Sequence, residues 1–159
     1  MNMLDLENVQ ALSNLPDNEC GLWVDNAGVI ESGDSPDAKR FQVLREMSGW
    51  KGIYFGGVAF KYQKEVSDPA KAALAAVPFV DVITTSGKGT GFAPDVEKIR
   101  KMKVAVGEHP LAIASGTTPE NVHLYKDYVD CFLVATGISD SHTELNADKT
   151  AKMVEALRA

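Results

Sequence analysis

The stretch Val80-Asp-Val-Ile-Thr-Thr-Ser-Gly-Lys-Gly-Thr-Gly-Phe-Ala-Pro-Asp95 contains the three parts of one repeating unit. An apolar run is followed by a loop of Gly, Ser, Thr and Lys, and the loop ends at a proline. A short apolar run is typical of a strand buried on both faces of a parallel sheet. Proline suits the first turn of a helix because it has no N–H to lose there. The stretch therefore predicts a strand, a loop and a helix start.

The same unit recurs along the chain. The predicted strands are 21–24, 52–55, 80–83, 111–114 and 131–134, and the predicted helices are 38–47, 69–76, 94–106, 119–126 and 147–157. Four helix starts carry a proline, and three of the preceding residues, Ser35, Asp68 and Thr118, can cap free N–H groups. We predict one α/β domain over 1–159, with an N-terminal helix in 1–19 (near Asp5 to Asn14) and five βα units in 20–159.

Parallel strands that alternate with helices suggest a (β/α)8 barrel, but the chain is too short for a complete one. Such a barrel takes about 250 residues and rarely fewer than about 200, whereas this chain has 159. We therefore predict a truncated TIM-barrel-like (βα)5 fold with the strands in sequential order. The alternative is a doubly wound α/β domain, in which the strand order reverses.

In parallel α/β folds, the loops after the carboxyl ends of the strands form the binding site. The last three of these loops are rich in Gly, Ser and Thr, which place N–H and O–H donors close to an anion. The predicted ligand-binding residues are Ser86, Gly87, Lys88, Gly89, Thr90, Gly116, Thr117, Thr136 and Gly137. Tight βα turns need the same residue types, so an anion site and plain turns both remain open.

The run 87–91 matches neither standard nucleotide motif. No glycine stands five residues before its Gly-Lys unit, and Phe92 occupies the place of the third glycine of the dinucleotide fingerprint. Lys88 can meet a phosphate as a point charge or remain a solvated loop lysine.

Two charged residues are candidates for catalysis. Asp25 ends the first predicted strand, and Lys61 follows the second. If both face inward they can pair beside a substrate, with Asp25 as a base; otherwise Asp25 turns the chain and Lys61 is exposed. His109, His123 and His142 lack the spacing of metal ligands, so neither a metal nor another cofactor is expected.

Charge and cysteine content argue against several partners and locations. The chain has 22 acidic and 16 basic residues, a net charge of −6 and no basic block, which disfavours nucleic acid. The longest charge-poor helical run is too short to span a membrane. The acidic start differs from a signal peptide. Cys20 and Cys131 are interpreted as buried free thiols rather than a disulfide, which predicts a cytoplasmic protein.

Three loops, taken in order, resemble the BtpA family of phosphate-binding-type barrel proteins. The stretches are Thr85-Ser-Gly-Lys-Gly-Thr-Gly-Phe-Ala-Pro-Asp95, Ser115-Gly-Thr-Thr-Pro-Glu-Asn-Val122 and Val134-Ala-Thr-Gly-Ile138. The resemblance implies the last five βα units of that barrel and a rim that binds a phosphorylated small molecule or an inorganic anion. The family's Asp-x-His-x-Lys pattern meets Gly57, Ala59 and Lys61 here, which implies that chemistry carried by its acid and histidine is absent.

An open half-barrel would leave two strand edges unpaired and one apolar face uncovered. Alternate residues among Trp23, Tyr54, Phe55, Val82 and Ile113 would point into that face. Such a surface predicts a homodimer or a higher homo-oligomer, unless the N-terminal helix covers it. Three hypotheses follow: a protein that binds a sugar or nucleotide phosphate, a non-catalytic remnant that serves in binding or assembly, and a doubly wound domain of unrelated function.

Overall fold

Five short strands form a single parallel sheet in which each strand pairs with the next one along the chain. The structure is a computed structural model, and it describes residues 1, 3, 6–16, 19–141 and 143–159. The strands are β1 (Gly21–Val24), β2 (Ile53–Gly57), β3 (Val82–Thr85), β4 (Leu111–Ala114) and β5 (Cys131–Leu133). The sequential order confirms the predicted half-barrel and excludes the doubly wound alternative, whose strand order reverses.

Within the described ranges, five α-helices accompany the sheet, one before β1 and the others between or after the strands. They are α1 (Asn8–Ser13), α2 (Pro36–Ser48), α3 (Pro69–Ala76), α4 (Val96–Val106) and α5 (Ala147–Arg158). The capping prediction holds at α3, where the Asp68 side chain accepts from the N–H groups of Ala70 and Lys71. At α4 the predicted start at Pro94 is wrong, because the helix begins at Val96 with Asp95 as its cap. The capping prediction is wrong at α2, because the Ser35 hydroxyl accepts from Ile30 N instead.

The helix predicted over 119–126 is wrong. This segment forms turns around a short 3-10 helix, Val122–Leu124. The side chain of Asn121 accepts from Thr118 N at 2.8 Å and donates to Gly116 O at 3.0 Å. Asparagine side chains that bond to nearby backbone in this way compete with regular helix hydrogen bonds. The segment consequently closes as a compact connection between β4 and β5.

The main core lies between the sheet and its helices. Leu22, Tyr54, Ile83 and Ile113 are fully or almost fully buried members of one apolar cluster that also includes helical residues. The ring of Tyr54 stacks on Phe41 of α2 with a centroid separation of 4.1 Å. Tyr54 and Ile113 therefore belong to the helix-facing side, and the expectation that strand residues alternate between two faces is met.

The opposite side of the sheet corresponds to a barrel interior. Trp23 pairs in register with Phe55, and Phe55 pairs with Val82, so these three side chains share that face. Phe60, which follows β2, packs edge-on against Trp23 with 6.5 Å between ring centroids. Ile53 remains 52% exposed at the other end of this face. The inner face is therefore only partly covered among the described residues.

One of the two predicted bare edges carries hydrogen bonds. At β1, Trp23 N donates to Met1 O at 2.9 Å, and Met3 N donates to Trp23 O at 3.0 Å. Helix α1 packs within the helix layer, where Ala11 and Leu12 join the core, so it does not cover the inner face. The predicted start of this helix at Asp5 lies outside the described residues.

Both cysteines are free thiols, as predicted, but neither is fully buried. Cys20 is exposed because it precedes β1 in a surface connection, and Cys131 is half-buried on the edge strand β5. Burial raises the pKa of the Cys131 thiol. Within the described residues, no helix is long and apolar enough to cross a membrane.

Candidate functional site at the carboxyl ends of the strands

The loops that follow β2 and β3 enclose a cavity of about 660 Å³ at the carboxyl end of the sheet. A volume of this size suits a small-molecule ligand. Four residues singled out from the sequence line it, namely Lys61, Ser86, Gly87 and Lys88. The structure thus brings together predicted residues from two different βα loops.

The lining of this cavity is rich in positive charge. Lys61, Lys64, Lys88 and Lys98 contribute four ammonium groups, while Glu65 and Asp95 contribute two carboxylates. The chain as a whole has a net charge of −6. A locally positive cleft in an acidic protein concentrates anions, because low-dielectric walls focus the field inside it.

Lys61 and Thr90 connect the two loops at the mouth of the cavity. The Lys61 ammonium donates to Thr90 Oγ1 at 3.1 Å, and the Tyr62 hydroxyl lies 3.4 Å from the same oxygen. Thr90 N donates to the Tyr62 hydroxyl at 3.3 Å. These contacts with Thr90 lower the pKa of Tyr62. Because all three side chains are accessible, a ligand can compete for them.

Ser86 holds the cavity wall together. Its side chain is fully buried, and its hydroxyl accepts from Lys61 N at 2.8 Å and donates to Gly87 O at 2.9 Å. The hydroxyl predicted to be a ligand donor is therefore engaged by the loops themselves. Its contribution in this structure is to fix Lys61 relative to Gly87.

Lys98 is a residue of this cavity that the sequence interpretation missed. It lies in the first turn of α4, and its ammonium donates to Ala59 O at 2.7 Å and to Ser86 O at 2.8 Å. Burial lowers the pKa of Lys98 to about 8. Its one sequence signal is its position just after the glycine-rich loop. The partner Ala59 O is 39 residues away in sequence, so no local pattern indicated the contact.

The four predicted ligand residues of the loops after β4 and β5 form a separate group. A Cβ atom on Gly116, whose φ is 74°, would overlap the Phe92 carbonyl, and one on Gly137 would overlap the Thr117 carbonyl. Close backbone approach between three loops therefore requires these glycines. Thr117 is fully buried, with no hydrogen-bond partner for its hydroxyl among the described residues, whereas Thr136 is exposed. None of these residues lines the 660 Å³ cavity.

The two residues predicted to be catalytic do not form an ion pair. Among the residues that the structure describes, Lys61 forms no salt bridge with Asp25 and contacts Thr90 instead. The backbone carbonyl of Asp25 accepts from the side-chain amide of Gln63, which also donates to Gly57 O at 3.2 Å. Gln63 thus ties the ends of β1 and β2 together.

Neither of the two histidines that the structure describes lines the cavity. His109 precedes β4 at the other end of the sheet, His123 lies in the 3-10 helix, and His142 is outside the described residues. In the described part of the chain, no group of three or more His, Cys, Asp or Glu side chains is arranged to hold a metal ion.

Relatives of this chain are known by sequence. No family model matches it. It is 28% identical over 139 residues to an uncharacterized protein of Methanocaldococcus jannaschii, covering 84% of this chain and 51% of that protein. It is 30% identical over 140 residues to an uncharacterized protein of Thermococcus kodakarensis, covering 85% of this chain and 52% of that protein. The chain spans about half the length of these relatives.

A solved structure has a similar fold over part of its length. N-(5'-phosphoribosyl)anthranilate isomerase from Pyrococcus furiosus superposes with a TM-score of 0.58 and 13% sequence identity, covering 87% of this chain and 62% of that protein. At this identity the likeness concerns the fold alone. Together with the sequential parallel sheet, it shows that the chain has a TIM-barrel-type fold built from five strands.

Proposed function

We propose that this protein binds a phosphorylated small molecule, such as a sugar or nucleotide phosphate, or an inorganic anion in the cavity between the β2 and β3 loops. One observation carries the proposal: four lysines and two carboxylates line a 660 Å³ cavity in a chain of net charge −6. Lysine ammonium groups bind phosphate as point charges. The cavity also lies at the end of the sheet where parallel α/β folds carry their ligands.

Two likenesses agree with this ligand class. The isomerase of similar fold acts, by its name, on a phosphoribosyl compound. The loops after β3, β4 and β5 resemble those of the BtpA family, and membership of that family remains a hypothesis from sequence. Because fold and loop likeness alone do not define a reaction, the proposal concerns binding.

We assign no reaction to the site. The positions that align with the family's acid and histidine are Gly57 and Ala59, which carry no polar side chain. Asp25 and Lys61 form no ion pair with each other, although both stay candidates for contact with a bound ligand. A protein that binds a phosphorylated compound without transforming it fits these features.

The test is the thermal midpoint of unfolding in the presence of inorganic phosphate, ribose 5-phosphate or AMP, with sodium chloride at matched ionic strength as the reference. A ligand that binds only the folded state stabilises it by about 2.7 kcal/mol at one hundred times its Kd. We expect the midpoint to rise with at least one phosphate compound. No rise with any of them would overturn the proposal.

Variants locate the binding site. Lys61→Ala and Lys88→Ala should weaken the midpoint rise, whereas Lys71→Ala, an exposed lysine of α3 outside the cavity, should leave it unchanged. If the rise survives in the first two variants and is lost in Thr117→Val, the ligand binds at the β4 and β5 loops. That result would contradict the cavity as the site.

A second candidate function is self-association through the inner face and the edge of β5. Ile53 is 52% exposed, and Trp23 and Phe55 are only half-buried on this face. In the described residues, β5 pairs only with β4. Exposed apolar surface next to an open strand edge favours association with a second copy. Analytical ultracentrifugation tests this, and a stable monomer at micromolar concentration would contradict it.

A further inference from the structure

We infer that Lys98 is a carbonyl-reactive lysine, which forms an imine with an aldehyde or ketone group of a ligand in the cavity between the β2 and β3 loops. The inference rests on the proposed function because it concerns the same cavity. It adds the chemical class of the ligand, a carbonyl compound that also carries an anionic group.

The geometry at the Lys98 nitrogen supports this role. Besides its bond to Cε, Nζ has three tetrahedral positions. Two of them carry the N–H groups that donate to Ala59 O and Ser86 O, at 2.7 and 2.8 Å. A neutral amine has two N–H groups and one lone pair. When both N–H groups donate to these carbonyls, the lone pair occupies the remaining position. Lys98 lines the cavity, and a carbonyl group bound there would have to meet Nζ at this third position.

The surroundings of Lys98 also disfavour a permanent ammonium ion. Among the described residues, Lys98 forms no ion pair with a carboxylate. Burial lowers the pKa of Lys98 to about 8, so about a tenth of the amine is neutral at pH 7, far more than for an unperturbed lysine. Desolvated lysines with a lowered pKa are the ones that proteins use as nucleophiles toward carbonyl groups.

The step balances without any further reactant. The Lys98 lone pair attacks the carbonyl carbon, and a proton passes from the nitrogen to the carbonyl oxygen through solvent. Loss of water then leaves a C=N bond, which is hydrolysed by the reverse route. The neighbouring Lys61, Lys64 and Lys88 would hold the anionic group of the ligand.

The experiment uses two aldehyde probes, pyridoxal and pyridoxal 5'-phosphate, and traps the imine with sodium cyanoborohydride before peptide mapping. Hydride adds to the imine carbon and a solvent proton to the nitrogen, which leaves a stable secondary amine. We expect Lys98 to be labelled about ten-fold faster than Lys71 at pH 8, because burial favours the neutral, nucleophilic form of the Lys98 amine. Its labelling rate should rise with a midpoint near pH 8.

The controls separate this inference from the proposed function. Labelling of Lys98 by pyridoxal without a preference for the phosphorylated probe would uphold the imine and contradict phosphate binding. A thermal midpoint raised by inorganic phosphate, with Lys98 labelled no faster than Lys71, would overturn the imine alone. The comparison of Lys98 with Lys71 is made within the wild-type protein, so it does not depend on whether a variant folds. Lys98→Arg, which keeps N–H donors but forms no imine, should remove the label from that peptide.

Discussion

The two ends of the sheet are held by different kinds of contact. At the amino ends of the strands, the backbone N–H and the carboxylate of one aspartate both form hydrogen bonds to the backbone of the neighbouring strand. We call this arrangement a clasp. Asp81 N donates to Tyr54 O at 3.0 Å, and Tyr54 N donates to Asp81 Oδ2 at 2.7 Å. Asp130 repeats the arrangement on β4, where Asp130 N donates to Leu111 O at 2.8 Å and Leu111 N donates to Asp130 Oδ2 at 2.9 Å.

Each of these carboxylates also forms an ion pair with a basic side chain in the last turn of a helix. Arg45 in the last turn of α2 lies 2.7 Å from Asp81, and Lys103 in the last turn of α4 lies 3.0 Å from Asp130. The same unit of backbone clasp and ion pair therefore occurs at two places along the sheet. Its groups satisfy one another, which is what a stabilising contact requires.

Among the described residues around the cavity, at the carboxyl ends of β2 and β3, no lysine forms such an ion pair. Lysines there donate to a hydroxyl or to backbone carbonyls, as Lys61 and Lys98 do, and backbones approach closely at glycines. Positive charge is left available to a ligand at this end. The contacts at the amino end are of the kind that stabilises the fold, and the unpaired lysines at the carboxyl end agree with the ligand site proposed there.

The largest expected effect comes from Gly57→Ala at the carboxyl end of β2. A Cβ atom there would overlap the backbone carbonyl of Asp25, which no side-chain rotation can relieve. We expect a loss of about 3 kcal/mol or more of the free energy of unfolding, measured by urea denaturation. Gly21→Ala in β1 is the control, because its Cβ would lie at an ordinary 3.6 Å from Ile53 O. Equal stability of the two variants would contradict close backbone packing at this end.

Asp81→Ala and Asp130→Ala test the clasps at the amino end. Each substitution leaves a backbone N–H, of Tyr54 or Leu111, without its carboxylate acceptor. We expect each to cost about 1–3 kcal/mol of the free energy of unfolding, while the midpoint rise caused by phosphate is retained. Asp127→Ala, at an exposed position before β5, should change stability by less than about 0.5 kcal/mol. If Asp81→Ala and Asp130→Ala lose the midpoint rise caused by phosphate while Asp127→Ala keeps it, the amino end would contribute to binding, against the distinction drawn between the two ends of the sheet.

The elements of the fold were predictable because their signals are local. Apolar runs and prolines located every strand and most helices to within a few residues, since burial on both faces and the special backbone of proline are properties of short segments. The helix prediction after Thr118 was wrong because the Asn121 side chain forms hydrogen bonds to the backbone of Gly116 and Thr118. The proline that suggested a helix start does not reveal these contacts.

The candidate site was less predictable because its contacts join distant segments. The glycine-rich loop drew attention to Ser86 and Lys88, but the Lys98 contact depends on the path of the loop after β2. The clasps show the same limit. An aromatic-Val-Asp sequence occurs at 79–81 and again at 128–130. The basic residue that pairs with each aspartate is 36 or 27 residues away in sequence, so the topology, and not the local sequence, determines the partners of each aspartate.

The pH dependence of stability tests the charge of one clasp. Burial acts to raise the pKa of Asp130, but hydrogen bonds from Leu111 N and Lys103 outweigh it and hold the pKa below its ordinary value. The unfolded chain therefore takes up this proton first as the pH falls. The stability contributed by the ionised Asp130 carboxylate should be present above its unfolded pKa, about 3.9, and should disappear as the pH falls through the lower pKa that Asp130 has in the folded protein.

Asp130→Asn gives the measurement for this prediction. The amide keeps an oxygen acceptor for Leu111 N but carries no charge. Because the Asp130 side chain is 49% exposed, solvent screens its charge, so the difference in unfolding free energy between wild type and variant should be at most about 1 kcal/mol near pH 7 and should vanish at low pH. A difference that stays constant between pH 7 and pH 2.5 would show that shape, and not charge, makes the clasp.

The smallest expected effect is that of Thr90→Val at the carboxyl end. Valine keeps the shape of the side chain but removes the oxygen that accepts from the Lys61 ammonium and lies near the Tyr62 hydroxyl. Because these groups are accessible and water can replace the lost contacts, the free energy of unfolding should change by less than about 0.5 kcal/mol. A loss as large as that of Asp81→Ala, under the same denaturation, would mean that Lys61 is tied into the fold like Arg45. It would then not be available to a ligand, and the contrast between the two ends of the sheet would fail at the residue on which it most depends.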